Sequence, residues 1–140
     1  MTSISIITQR YGPNNKQLER FASFIKTFDI NQRSILIGGD RGDIQIYNIL
    51  VSAGFQIGVL PMTGNESDFS FNLAKEIKPP MPMKERNQSL LDMSSTIIGL
   101  PQMMNEYEDS PCWKTLRNAS NNREKEVFVI SPSGWAWGLE

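Results

Sequence analysis

Apolar residues along this chain fall into five short dense runs, separated by segments whose apolar positions recur at helical spacing. Ile4 to Thr8 reads as a first strand, β-branched and closed by Gln9, Arg10 and the turn pair Gly12-Pro13. Asn14 or Asn15 then caps a helix with Leu18, Phe21, Ala22, Ile25 and Phe28 on one side. Ser34 to Ile37 form a second strand that ends at Gly38-Gly39-Asp40-Arg41-Gly42-Asp43. A densely apolar helix is predicted from Asp43 to Ala53, with Gly54 as its left-handed stop. Phe55 to Leu60 is a third strand, almost wholly apolar, as a parallel strand covered on both faces should be.

The pattern loosens between Pro61 and Arg86, where Phe69 to Ile77 has room for a short helix and Pro79-Pro80-Met81-Pro82 forbids one. A connection this long points to function or mobility. Glu85 to Met93 suits a helix that packs through Leu90, Leu91 and Met93, and Thr96 to Leu100 a fourth strand. An acidic loop, Asn105 to Asp109, precedes Ser110-Pro111, an N-cap followed by proline at the first helical position. Trp113, Leu116 and Ala119 give that helix its apolar side, and Glu126 to Ser131 is the fifth strand. The alternation predicts one α/β domain over residues 1–134, a mostly parallel sheet of about five strands with helices on both faces. A short tail, 135–140, carries Trp135 and Trp137.

In such sheets ligands sit beyond the carboxyl ends of the strands, where strand order reverses. With the first strand central, the reversal lies between the first and fourth strands. Gln9, Arg10, the Gly38–Asp43 turn, Arg86 and the helix start at Ser110 then border the site. The turn has two readings: a connection that needs left-handed geometry, or a backbone cradle for a ligand. Three glycines exceed what a turn requires, which favours ligand contact. Arg41 is open to a surface ion pair with Asp40 or Asp43, and Arg86 to solvation within the charged run Lys84-Glu85-Arg86.

Composition narrows the chemistry. The 140 residues carry a formal net charge of -1, so no global field draws in nucleic acid or an anionic membrane. Histidine is absent from the sequence, which removes histidine acid–base catalysis and disfavours zinc. The lone cysteine, Cys112, fits a reducing compartment. No signal peptide and no membrane-spanning run is recognised, so a cytoplasmic protein is expected, in the host cytosol if viral. Cys112 at a helix start could be an activated thiol, but no histidine can serve as its base; a small buried residue is the better reading.

Three segments in register resemble the SLOG superfamily of Rossmann-like nucleotide-binding domains, which includes the DNA-processing protein A and Lonely Guy (lysine-decarboxylase-like) families. The first is Gly38-Gly39-Asp40-Arg41-Gly42-Asp43 through Gly54-Phe55-Gln56-Ile57-Gly58-Val59-Leu60-Pro61; the second is Glu85-Arg86-Asn87-Gln88-Ser89-Leu90-Leu91 before Ser95-Thr96-Ile97-Ile98. The third is Ser110-Pro111-Cys112-Trp113-Lys114-Thr115-Leu116-Arg117-Asn118-Ala119 with Val127-Phe128-Val129-Ile130. The resemblance implies a Rossmann-like three-layer fold, with Gly38, Gly39 and Gly42 near a nucleotide and Arg86 facing its phosphate or reacting sugar. Arg10 follows the first strand, where many members carry glycine-serine-arginine, and the Ser110 helix start matches the family's phosphate-binding end. Departures are equally plain. Thr8-Gln9 replaces small residues, Pro101-Gln102 lacks the hydrolases' glycines, and Pro111 and Cys112 stand where glycine and threonine belong. Pro111 removes an amide donor, and Thr115 replaces the glutamate of the Lonely Guy pattern.

The residues expected to border a ligand are therefore Gln9, Arg10, Gly38, Gly39, Arg41, Gly42, Asp43, Arg86, Asn87, Pro101, Ser110, Cys112 and Trp113. Trp113 also matches a family core position. No catalytic residue, metal or cofactor is assigned. The ranking is a nucleotide-binding module without turnover first. A degenerate domain that oligomerises or binds partners through Trp135 and Trp137 comes second. Third is an N-glycosidic hydrolase, for which only Glu106 and Glu108 could supply the acid. Single-strand DNA binding lacks the basic groove it requires.

Overall fold

The computed structural model describes residues 2–9, 12–64, 71–102 and 110–138. Within them β1 (Thr2–Ile7), β2 (Arg33–Ile37), β3 (Gln56–Val59), β4 (Glu76–Ile77), β5 (Thr96–Gly99), β6 (Glu126–Ile130) and β7 (Ala136–Gly138) form one sheet. Its order is β4-β3-β2-β1-β5-β6-β7. All neighbouring pairs are parallel except β6 and β7. The chain runs outward from β1 to one edge, then returns to its other side at β5. The strand-order reversal thus lies between β1 and β5, where Ile4 pairs with Thr96 and Ile7 with Gly99.

The helices are α1 (Asn15–Ile25), α2 (Ile44–Ala53), α3 (Met83–Asp92) and α4 (Pro111–Ser120). Strand side chains alternate between two faces. Ile4, Ile6, Ile35, Ile37, Ile57 and Val59 pack with Phe21 and Ile25 of α1 and Ile46 and Leu50 of α2. Ile7, Leu36, Ile97, Val127 and Val129 pack with Leu90 and Leu91 of α3 and Trp113 and Leu116 of α4. The result is the three-layer, Rossmann-like arrangement expected, and it explains why the strands are apolar on both faces.

Local chemistry sets the ends. Asn14 caps α1: its Oδ1 accepts from Gln17 N, and its own backbone N–H donates to Gln17 Oε1. Gly54 ends α2 at φ 87°. Ser110 caps α4 with Pro111 in the first turn. Ser5, fully buried in β1, donates to Leu90 O at 2.6 Å and so ties α3 to the central strand.

The differences from expectation lie at the margins. The sheet has two strands more than anticipated. Residues 71–77 are not helical; they end in the two-residue strand β4, held by Lys75 N to Ile57 O and Lys78 N to Val59 O. The tryptophan tail does not stand apart at residue 135, because Ala136–Gly138 pair antiparallel with β6. Helix α2 starts at Ile44, after a 3₁₀ turn over Arg41–Asp43. No helix among the described residues is long and apolar enough to cross a membrane.

Candidate ligand site at the strand reversal

Gln9 sits at the strand-order reversal between β1 and β5. Its Nε2 donates to Ser110 Oγ at 3.0 Å, and its Oε1 accepts from Gln102 N at 2.9 Å. One side chain therefore links the end of β1, the segment after β5 and the cap of α4. Ser110 Oγ also accepts from Trp113 N at 3.2 Å, which occupies one amide at the α4 N-terminus. Behind this crossing, buried Gln17 donates to Pro101 O at 2.7 Å and Ile130 O at 2.9 Å. Its capping-box position, three residues after Asn14, is the sequence signal for this residue.

The Gly38–Asp43 turn is buried at all three glycines, and each is accounted for by contact within the protein. A Cβ on Gly38 would collide with Arg86 Nη1. Gly39 has φ 72°, and a Cβ there would lie 2.6 Å from Val59 Cγ1. A Cβ on Gly42 would collide with Gln9 O and come within 2.9 Å of Gly12 N. The excess of glycine thus has an internal reason: the turn is pressed between β3, α3 and the loop after β1.

Arg86 is neither solvated nor open to a phosphate on all sides. Leucine 90, four residues on, lies on the same face of α3 and is also buried, so the helix turns Arg86 inward. Its Nη1 donates to Gly38 O at 2.7 Å and, more weakly, to Leu60 O at 3.4 Å. Nε donates to Asn87 Oδ1 at 2.9 Å, and Nη2 pairs with Asp40 Oδ2 at 2.9 Å. Arg41, by contrast, is exposed and forms no ion pair among the described residues.

Asp43 lies beneath this pair, 2% exposed. Oδ1 accepts from Thr8 Oγ1 at 2.8 Å and Oδ2 from Asp40 N at 3.0 Å. Burial and then the neighbouring Asp40 charge push its carboxyl up to about 6, against the opposing pull of the Thr8 and Asp40 hydrogen bonds and of Arg86. The carboxyl ends of β1 and β2 therefore carry an Asp40–Arg86 ion pair with the buried Asp43 carboxyl close enough to feel both charges.

No known protein-family profile matches the chain, and no curated protein matches it in sequence. Nine solved chains match it in structure. Among them is the X-ray structure of TM1055, a Northeast Structural Genomics Consortium target, at a TM-score of 0.53 and 12% identity. The match covers 71% of this chain and 61% of that one, so this chain spans less than two thirds of its length. The likeness is one of fold.

The structure brings Gln9, Gly38, Gly39, Gly42, Asp43, Arg86, Asn87, Pro101 and Ser110 to the carboxyl end of the sheet, with Asp43, Arg86 and the glycines below its surface. The Cys112 and Trp113 side chains are buried in the α3–α4 core, with Cys112 Sγ 3.9 Å from Ile7 O at the end of β1. Arg10 and the acidic residues Glu106, Glu108 and Asp109 lie outside the described residues. Thr8 and Gln17 join the site beside the expected residues, and Asp40, within the Gly38–Asp43 turn, supplies the partner of Arg86. Groups of three or more potential metal ligands are absent among the described residues.

Proposed function

We propose that this chain is a SLOG-type binding module that holds a nucleotide or nucleoside phosphate at the β1–β5 reversal without turning it over. The observation that carries the reading is Arg86. A buried guanidinium, clamped by Gly38 O and Asn87, offers its Nη2 edge at the carboxyl end of a Rossmann-like sheet. A cation fixed there suits an oxyanion, because its hydrogen-bonding fork is already oriented. Binding rather than turnover follows from the surrounding groups: Asp40 is paired, Asp43 is sealed beneath it, and the chain has no histidine. A cytoplasmic location agrees with the lone, buried Cys112.

Thermal-shift measurements against nucleotides, cyclic nucleotides and ADP-ribose derivatives test the proposal. A ligand at about 100 times its dissociation constant adds about 2.7 kcal/mol and should raise the melting temperature clearly. A melting temperature that no member of the panel moves would sink it. Release of free base from nucleoside monophosphates would instead favour the hydrolase reading.

One observation favours a second reading, self-association through the C-terminal edge. Trp135 is 68% exposed beside the edge strand β7, and exposed aromatics at a strand edge suit a protein contact. Light scattering on a chain ended after Ser133 tests it; an oligomer that keeps its mass argues against the tail.

A further inference from the structure

We propose that two copies of this chain associate by pairing their β7 strands antiparallel about a two-fold axis at Trp137, which joins their sheets into one. The inference rests on the self-association reading and assigns the partner strand and the register of that contact.

The two ends of the sheet are built differently. The β4 edge carries Lys75, Glu76 and Lys78, with Lys78 Nζ on Glu76 Oε1 at 2.8 Å, and Pro79-Pro80 follow directly. Charged side chains and prolines are the usual means of keeping a strand edge from pairing. The β7 edge has neither. No residue from Ser131 to Gly138 is charged, and Pro132 lies in the turn before the strand.

Hydrogen-bond parity shows which groups that edge presents. Ser131 N donates to Trp135 O at 2.8 Å, so these two form a hydrogen-bonded pair. Such pairs alternate along an antiparallel ladder. Val129 and Trp137 are therefore the next, while Ile130–Ala136 and Phe128–Gly138 lie between hydrogen-bonded positions. The N–H and C=O of Ala136 and Gly138 then point away from β6. No strand among the described residues pairs with them on that side.

That spacing is self-complementary. With a two-fold axis at Trp137, Ala136 of one copy faces Gly138 of the other, and the two exchange N–H and C=O. The same patch serves both copies, as an isologous contact requires. Trp137 meets Trp137 of the other copy as a non-hydrogen-bonded pair, the kind whose side chains lie closest. Its ring, partly covered by the α3–α4 core, gains further cover there, beside Trp135 at 68% exposure. A neutral strand meets its own copy without like-charge repulsion, whereas a charged segment would find no counter-charge along it. The turn leading into β7 is also held in place. Trp135 N donates to Ser131 Oγ at 3.0 Å, Gly134 N to Ser131 O at 2.9 Å and Asn14 Nδ2 to Pro132 O at 2.9 Å. An edge ordered in the single chain gives up little freedom on association.

The test is light scattering of the full chain and its Gly138→Pro variant over a range of protein concentrations, with a cysteine cross-link to read the register. Proline removes an N–H that β6 does not use, so the variant should keep its melting temperature. The parent mass should rise toward twice that of the single chain as concentration increases, and the G138P mass should stay single. Ala136→Cys and Gly138→Cys chains, mixed, should form a disulfide dimer under mild oxidation, because opposed Cα atoms of a hydrogen-bonded pair lie about 5.5 Å apart. Either chain alone should cross-link at least tenfold more slowly, since its two cysteines stand on the diagonal, about 7–8 Å apart. Cys112 is buried and does not compete. A G138P protein that associates as the parent does, or cysteine chains that cross-link as fast alone as mixed, overturns the β7 pairing and leaves self-association standing. A mixture that fails to cross-link while G138P stays single overturns the register. A parent of single mass at every concentration overturns both readings. If G138P loses its melting transition, the cysteine mixture decides alone.

Discussion

Arg86 Nη1 donates to Gly38 O at 2.7 Å and occupies the space where a side chain on Gly38 would begin. The glycine and the arginine, 48 residues apart, are thus one packing unit. Gly38→Ala should cost about 1–3 kcal/mol in urea denaturation, the usual range for overpacking a close contact. The cost should shrink in an Arg86→Ala background, because the colliding nitrogen is gone. Arg86→Ala alone should be the more damaging change, about 3–5 kcal/mol, since it strands Asp40 and Asp43 without their cation. Equal penalties for Gly38→Ala in both backgrounds would show that the glycine serves something other than Arg86.

Asp43 gives the fold a pH signature of unusual sign. Its folded-state carboxyl titrates at about 6, above the ordinary value of 3.8. The folded protein therefore binds the proton more tightly than the unfolded chain. Stability from this group is fully present below about pH 4 and is lost as pH rises through about 6. The two-unit shift corresponds to about 3 kcal/mol at most. Other carboxylates work in the opposite direction, so the measurement is a difference. Urea midpoints of the parent protein minus those of Asp43→Asn should fall between pH 4 and pH 6 and flatten above it. A flat difference across that window would mean that Asp43 titrates as an ordinary carboxylate.

The same cluster shows what the chain discloses and what it hides. The five principal strands and the four helices are legible because each rests on local pattern: apolar runs, caps at Asn14 and Ser110, the left-handed Gly54; the β1–β5 reversal depends on strand order, which local pattern does not carry. Strands β4 and β7 are not legible, since two or three residues carry no periodicity and exist only through the strands they pair with. Arg86 lies at the carboxyl end of the sheet, and its surroundings in the sequence give mixed signals. Its neighbours Lys84 and Glu85 suggest solvent, whereas its phase with Leu90 points inward. The number of glycines is evident in the sequence, whereas the groups they accommodate (Arg86, Val59 and the Gln9 carbonyl) come from other elements and are legible only in the fold. Asp40 as the partner of Arg86 is legible only in three dimensions.

Two glutamines at the reversal should respond differently to mutation. Gln17 is 1% exposed and donates to the carbonyls of Pro101 and Ile130. Gln17→Leu keeps the volume and removes the donors, so it should cost about 2–4 kcal/mol. Gln9 is half-buried, and water can replace its bonds to Ser110 and Gln102. Gln9→Ala should cost about 1 kcal/mol or less, while opening the crevice it now crosses. Chemical denaturation ranks the two; a larger penalty at Gln9 would contradict this assignment of their roles.

The C-terminal tryptophans separate stability from assembly. Trp137 sits opposite Val129 in the β6–β7 ladder and packs on the α3–α4 core, whereas Trp135 projects into solvent. Trp137→Ala should lose about 1–2 kcal/mol, less than a fully buried tryptophan because only part of the ring is covered. Trp135→Ala should stay within about 0.5 kcal/mol, as exposed substitutions do. If β7 is the edge through which copies of the chain associate, Trp135→Ala should lower the mass seen by light scattering with the melting temperature of the dissociated chain unchanged. Trp137→Ala should lower both, because it loosens the strand itself. A Trp135→Ala protein of unaltered mass, beside a Trp137→Ala protein that is merely less stable, would assign β7 to the fold and remove the tail from any account of assembly.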